Sequence, residues 1–371
     1  MSAEDSVRQA LGLVRDSGLF RRLLDLVRET ANALGRKPVL MEVCGSHTWA
    51  ISHAGIRDLL KDRLSLVSGP GCPVCVTSAG DISRMVGLSR FPGVIVATYG
   101  DMMRVPSKCG SLEESRAAGN EVVMVYSAMD AVTLARENPG REVVFLGVGF
   151  ETTAPGSAIA LKAARSWEIG NFSIYSAHKV MPPILRKILS MDELRIDGLI
   201  LPGHVSAVTG KRYFEFIGEE FHVPAVISGF EPCDILYAIL RLLQKMLKGD
   251  YAVENAYPRV VSEEGNIRAQ DLINEVFEPS PSTWRGIGEL PESGLALRSA
   301  FSQFDASKKL PLEPLSEEAE PPGCDCRYIL SGLKAPEDCR LFGKVCTPVH
   351  PVGPCMVSSE GSCRAHYTFG R

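Results

Sequence analysis

The residues best equipped for chemistry in this sequence are its cysteines, eleven in 371 residues. In "SGPGCPVCVT", Ser68 to Thr77, Cys72 and Cys75 stand at C-x-x-C spacing behind a Gly-Pro-Gly turn. At a strand-to-helix turn such a pair has a lowered first-thiol pKa and can cycle between dithiol and disulfide. Pro70 and Pro73 fix that turn, and its glycines let the backbone approach a ligand closely. In "VCGSHT", Cys44 follows a strand and His47 lies three residues on, at the start of a helix-like stretch. A thiol at a helix N-terminus beside an imidazolium is expected to ionise readily, and the thiolate is a metal ligand. The same residues also suit blander roles: a buried cysteine in a capping turn, or a Cys3His zinc site from Cys44, His47, Cys72 and Cys75.

Six further cysteines crowd into residues 324–371: Cys324, Cys326, Cys339, Cys346, Cys355 and Cys363. From Cys324 the intervals through Cys339, Cys346 and Cys363 hold 14, 6 and 16 residues. The tail has no C-x-x-C, which counts against a zinc ribbon, and it lacks the close spacing of bacterial ferredoxins. Four loop-borne thiolates could hold a [4Fe–4S] cluster; zinc or disulfides remain equally open on spacing alone. Polar groups at other turns complete the candidates. Asp101 and Arg104 in "YGDMMRVP" could steer a partner, accept a proton, or pair with each other on the surface. Glu151 in "GFETTAP" is a helix cap or an acid in a cleft, and His178 and His204 follow the next two strands. These three are expected to converge at one rim. Glu360, near Cys363, is placed to tune whatever the tail binds.

The elements that must position these groups are short apolar runs recurring every 20 to 30 residues. They are "PVLMEV" (38–43), "LSLV" (64–67), "GVIVAT" (93–98), "EVVMVY" (121–126), "EVVFLGV" (142–148), "FSIYS" (172–176), "GLILP" (198–202) and "VPAVIS" (223–228). Continuous apolar runs alternating with helix-like segments imply parallel strands covered on both faces. The expected fold is therefore α/β, with two similar doubly wound parallel-sheet domains and a loop-rich C-terminal domain. The boundaries expected are 1–130, carrying N-terminal helices, Cys44 and the Cys72/Cys75 pair; 131–250; and 251–371. Ligands in such sheets bind beyond the carboxyl ends of strands, so the cleft between the two domains is the expected site. A long amphipathic helix is read over 235–250. The stretches 276–294 and 310–323, rich in Pro, Gly and acids, read as surface loops.

Composition bounds the function. With 40 basic and 44 acidic residues the net charge is −4, which recommends neither nucleic acid nor an anionic membrane as partner. The N-terminus carries early acids and no continuous apolar core, so no signal peptide is expected, and no run suffices for a membrane span. A cytoplasmic protein is expected, and cysteines in a reducing compartment point to metal or redox chemistry.

The motifs then add up to a resemblance. "MEVCGSHT", "SGPGCPVCVT", "YGDMMRVP", "GFETTAP" and the tail "CRYILSGLKAPEDCRLFGKVCTPVHPVGPCMVSSEGSCRAHY" occur in the order seen in the hydrogenase maturation factor HypD family. The match runs from about Cys44 to Tyr367. The resemblance implies a [4Fe–4S] cluster held by Cys324, Cys339, Cys346 and Cys363, making the C-terminal segment an iron-sulfur domain. Cys326 and Cys355 would be a neighbouring pair, as two thiols or as a disulfide. It also implies iron at Cys44, dressed with cyanide and carbon monoxide, with His47 assisting. Cys72 and Cys75 would pass electrons from the cluster. Asp101 and Glu151 would serve the same site. Trp49 stands where many members carry a further histidine. The implied partners are a small HypC-type chaperone and HypE, the cyanide donor, with HypF upstream; the protein itself would be a monomer within heterocomplexes. Such a protein is a redox-active assembly scaffold for the Fe(CN)2CO group of [NiFe]-hydrogenases rather than a turnover enzyme. The alternative from another class is an iron-sulfur-dependent thiol–disulfide oxidoreductase, and a third is a zinc-stabilised binding module.

Overall fold

The apolar runs become strands nearly where their β-branched composition places them. In a computed structural model, describing residues 16–193, 195–312, 318 and 320–370, they are β1 (Val39–Glu42), β2 (Ser65–Ser68), β3 (Val94–Thr98) and β4 (Val122–Met124). They continue as β5 (Glu142–Gly147), β6 (Phe172–Ser176), β7 (Gly198–Pro202), β8 (Ala225–Ser228) and a short β9 (Glu254–Asn255). All pair in parallel within two sheets, ordered β2-β1-β7-β8-β9 and β4-β3-β5-β6. Residues of β3 and β7 are buried throughout, as expected of strands covered by helices on both faces.

The sheets do not follow the expected boundary at residue 130. The chain begins the first sheet with β1 and β2, builds the whole second sheet from β3 to β6, then returns to the first with β7 to β9. A parallel strand needs only a crossover connection, so its hydrophobic pattern cannot say which sheet it will join. The two sheets are thus interleaved in sequence, and Cys44 and the Cys72/Cys75 pair sit on the first of them. The expected helix over 235–250 runs from Pro232 to Lys248 and closes on Gly249.

A second correction concerns 276–294. Instead of a surface loop, it forms most of an antiparallel hairpin, β10 (Phe277–Trp284) and β11 (Gly288–Leu297), with a bulge between Ser280 and Ser282. Its prolines suggested loop, but a two-stranded ribbon has only edges, where a missing amide is tolerated. At its tip Trp284 and Arg285 are buried, Trp284 fully. The expected loop 310–323 lies partly outside the described residues, as does most of the N-terminal stretch read for a leader. No helix among the described residues is long and apolar enough to cross a membrane.

Candidate functional site

Cys44 is the residue that ends the β1 run and begins the next helix. It caps the Gly45–His53 helix from an extended backbone, and its amide donates to Glu42 Oε2 at 3.3 Å. The C-x-x-C turn is packed directly against it. Gly45 N donates to Gly71 O at 3.0 Å, and a Cβ placed on Gly71 would lie 2.2 Å from Cys44 N. Only glycine permits that approach. Cys72 in turn caps the short Pro73–Val76 helix, and the structure joins it to Cys75 in a disulfide. The two cysteine motifs, 28 positions apart, therefore form one corner of the first sheet's carboxyl edge.

The cysteine tail supplies the opposite wall. Ser46 Oγ donates to Glu360 Oε1 at 2.5 Å, and Glu360 N donates to Ser358 Oγ at 3.3 Å. Ser358 Oγ donates to Asp101 Oδ2 at 2.8 Å. Asp101 and Arg104 do not pair with each other; Arg104 donates instead to the carbonyls of Pro348 and Val349, so both reach the tail. Ser46, Ser358, Glu360 and Asp101 thus join three separate sequence motifs in one hydrogen-bonded chain beside Cys44.

The electrostatics differ from the sequence expectation. Burial, followed by the Glu360 carboxylate, pushes the Cys44 thiol up to about 12, more than the amides of His47 and Ser46 lower it. His47 is no imidazolium: burial lowers it to about 4, and its Nε2 bonds to Gly229 O at 2.9 Å. The expected activation by a charged neighbour fails because desolvation outweighs the helix end. Glu42, fully buried, is raised to about 7 by desolvation, against bonds from Thr48 and the Cys44 amide. At neutral pH Cys44 is a protonated thiol, and a bound metal ion would deprotonate it.

The remaining candidates separate. Glu151 is buried and its carboxyl raised by burial; Oε1 accepts from Met181 N at 2.8 Å and from Tyr213 OH at 2.7 Å. It caps a neighbouring helix, Met181–Leu189, rather than its own. His178 is enclosed, between the hydroxyls of Ser157 and Ser176, each 3.1 Å away. His204 lies elsewhere, stacked on Phe230 at 3.8 Å, and Phe230 also stacks on His47. The expected convergence of Glu151, His178 and His204 therefore does not occur, because they follow strands of two different sheets. Trp49 stacks on His53 and lines, with His204, Phe230 and Glu360, a groove of about 1040 Å³. Sequence reading missed Glu42 and Phe230; the buried acid on the strand preceding Cys44 was the available signal for the first.

His178 gives a pH prediction. Burial lowers its pKa to about 4, whereas the unfolded chain titrates near 6.5. Between these values the unfolded chain binds a proton that the folded protein does not, so stability falls as pH falls. From pH 7 to 5 the loss through this group is about 2 kcal/mol. Glu42 acts in the opposite sense, since a raised carboxyl favours the folded state as pH falls through about 7. Urea unfolding at both pH values should therefore show an acid loss smaller by that amount in His178→Gln; equal losses would contradict it.

All six tail cysteines line one small cavity with Ile329, Leu341, Phe342, Gly353 and Met356. Cys326 and Cys355 lie 3.0 Å apart, sulfur to sulfur, as free thiols. Cys324 is pushed up by its bond to Cys326 and by burial. A Cβ on Gly353 would come within 2.9 Å of Cys324 Sγ and 3.2 Å of Cys326 Sγ. No three His, Cys, Asp or Glu side chains among the described residues are arranged to hold a single metal ion. The donor set nevertheless fits an iron–sulfur cluster: thiols, apolar walls, and no competing nitrogen or oxygen side chain on the cavity among the described residues.

The family model HypD, described as "Hydrogenase formation hypA family", matches residues 19–370. The chain is 46% identical to the hydrogenase maturation factor HypD of Rhizobium leguminosarum bv. viciae, covering 96% of this chain and 94% of that one. It is 44% identical to HypD2 of Bradyrhizobium diazoefficiens and 44% identical to HypD of Cupriavidus necator, with 96% of each chain covered in both comparisons.

Proposed function

This chain belongs to the HypD family of hydrogenase maturation factors, and from that premise we propose that it is the scaffold on which the Fe(CN)2CO group of [NiFe]-hydrogenases is assembled. The observation that carries this reading is the abutment of Gly71 on Cys44, which puts a metal-capable thiol and a redox-capable pair on one corner. Iron is the substrate here, bound at Cys44. On binding it, Cys44 loses its proton, and the buried Glu42 and the half-buried Glu360, both hydrogen-bonded to its turn, are the carboxylates that could take that proton. His47, neutral and fixed through Nε2, keeps Nδ1 without a partner among the described residues and so available as an acceptor.

Cys324, Cys339, Cys346 and Cys363 would hold a [4Fe–4S] cluster, which supplies single electrons when bound. The helix carrying Cys72 and Cys75 packs against the Pro354–Met356 turn that carries Cys355. The disulfide is the oxidised half of a pair that accepts two electrons and two protons to become two thiols. Asp101, Ser358 and Glu360 hold the tail against the Cys44 turn. As a maturation factor the protein works with other maturation proteins; HypC, sharing the iron, and HypE, supplying cyanide prepared by HypF, are the partners this reading calls for, in the cytoplasm. The test of the cluster is analysis of anaerobically purified protein for iron and acid-labile sulfide. Sulfide and an equal amount of iron should be lost together in Cys346→Ala but kept in Cys355→Ala. Zinc without sulfide would end the cluster assignment.

The thiol–disulfide oxidoreductase reading is favoured by one observation, the Cys72–Cys75 disulfide itself. It assigns nothing to Cys44, and disulfide reductase activity surviving in Cys44→Ala without any maturation defect would select it.

A further inference from the structure

The hairpin tip brings a buried arginine between the C-x-x-C helix and the cysteine tail. Trp284 bridges to Thr77, and Arg285 N donates to Val76 O at 2.9 Å. Arg285 Nε donates to Thr77 O at 2.9 Å, so one residue satisfies two carbonyls at the end of the helix that carries Cys75. Arg285 is only 2% exposed; Nη1 donates to Glu320 Oε2 at 2.6 Å, and Nη2 has no partner among the described residues. The next residue, Gly286, at φ +72°, is pressed on the tail: a Cβ there would lie 2.5 Å from Arg327 Cα, beside Cys326.

We propose that Arg285 is a positioning residue for the Cys72–Cys75 pair. Its amide and Nε hold the end of the C-x-x-C helix, and through Gly286 the same turn fastens that end to the cysteine tail. Two thiols three residues apart close into a disulfide efficiently only while the helix turn keeps them facing, since the rate and equilibrium of closure follow their effective concentration. Loosening the helix end lowers that concentration and favours the dithiol. The inference rests on the redox role proposed above for the pair.

The experiment is the equilibrium of the full chain with dithiothreitol, read by mass labelling of Cys72 and Cys75 in wild type, Arg285→Met and Arg285→Lys. Reduction breaks the Cys72–Cys75 bond and makes two thiols; dithiothreitol gives two electrons and two protons and closes to its cyclic disulfide. Both variants lose the planar fork, and both are expected to move toward the dithiol by about tenfold, ~30 mV in potential. An unchanged constant in both overturns the proposal even if the melting temperature drops, because a merely structural role moves stability alone. A shift in Arg285→Met with Arg285→Lys like wild type also overturns it, leaving charge rather than position as the cause. A wild-type pair that stays oxidised at every dithiothreitol ratio overturns the redox reading itself and this inference with it. The expected shift in protein that holds neither iron nor sulfide supports the inference while removing the cluster.

Discussion

Replacing Cys44 with alanine is expected to abolish the cyanide and carbonyl stretching bands that the proposed scaffold role calls for in protein purified anaerobically with a HypC-type chaperone. Hydrogenase maturation should be lost with them. The expectation follows from the site's chemistry. Cys44 is a buried thiol whose proton a metal ion must displace, and the bonds around it come from its own strand, the C-x-x-C turn and the tail. Alanine removes the sulfur and leaves that frame in place, so the variant should stay folded. Infrared spectra of wild type and variant, beside their melting temperatures, make the measurement. Bands that persist in a folded Cys44→Ala protein would move the iron to another residue.

Gly71→Ala should do comparable damage by another route. The added Cβ would sit 2.2 Å from Cys44 N and 2.4 Å from Cys44 Cα, against backbone that has no side-chain rotamer to give way. Overpacking of this kind costs about 1–3 kcal/mol, and here it is relieved only by parting the Cys44 turn from the C-x-x-C turn. Retention of the iron proposed at Cys44, and with it the infrared bands, should therefore collapse while the disulfide pair survives. Gly87, within the Ala79–Leu88 helix, has nothing within 4 Å of its Cβ position and serves as the control. Gly87→Ala should be neutral or stabilising by about 0.5–1 kcal/mol. Wild-type iron content and infrared bands in Gly71→Ala would show that the two turns need not touch.

Each position depends on a different kind of information. The parallel α/β class was legible because β3, β5 and β7 are unbroken apolar runs, and only strands covered on both faces tolerate that pattern. The long helix closing on Gly249 was legible from its amphipathic pattern, which is equally local. The motif cysteines, Asp101 and Glu360 could be named from their types and from resemblance, without any geometry. What the linear pattern could not hold is pairing. Nothing in β3 or β7 says that the chain leaves the first sheet at residue 94 and returns at 198, because a crossover connection carries no record of its destination. The hairpin over Phe277–Leu297 was hidden by prolines that an edge strand accepts.

The state of the site was hidden more deeply. Sequence alone determined that Cys44 would end a strand and cap a helix, a position that lowers a thiol's pKa in water. Tertiary structure decided that the thiol is buried beside Glu42 and Glu360 and opposite a neutral His47, so its pKa rises instead. Helix capping is local and can be read from neighbouring residues. Desolvation depends on everything packed around a group, and here that packing comes from residues 71, 229 and 360 as much as from residue 44.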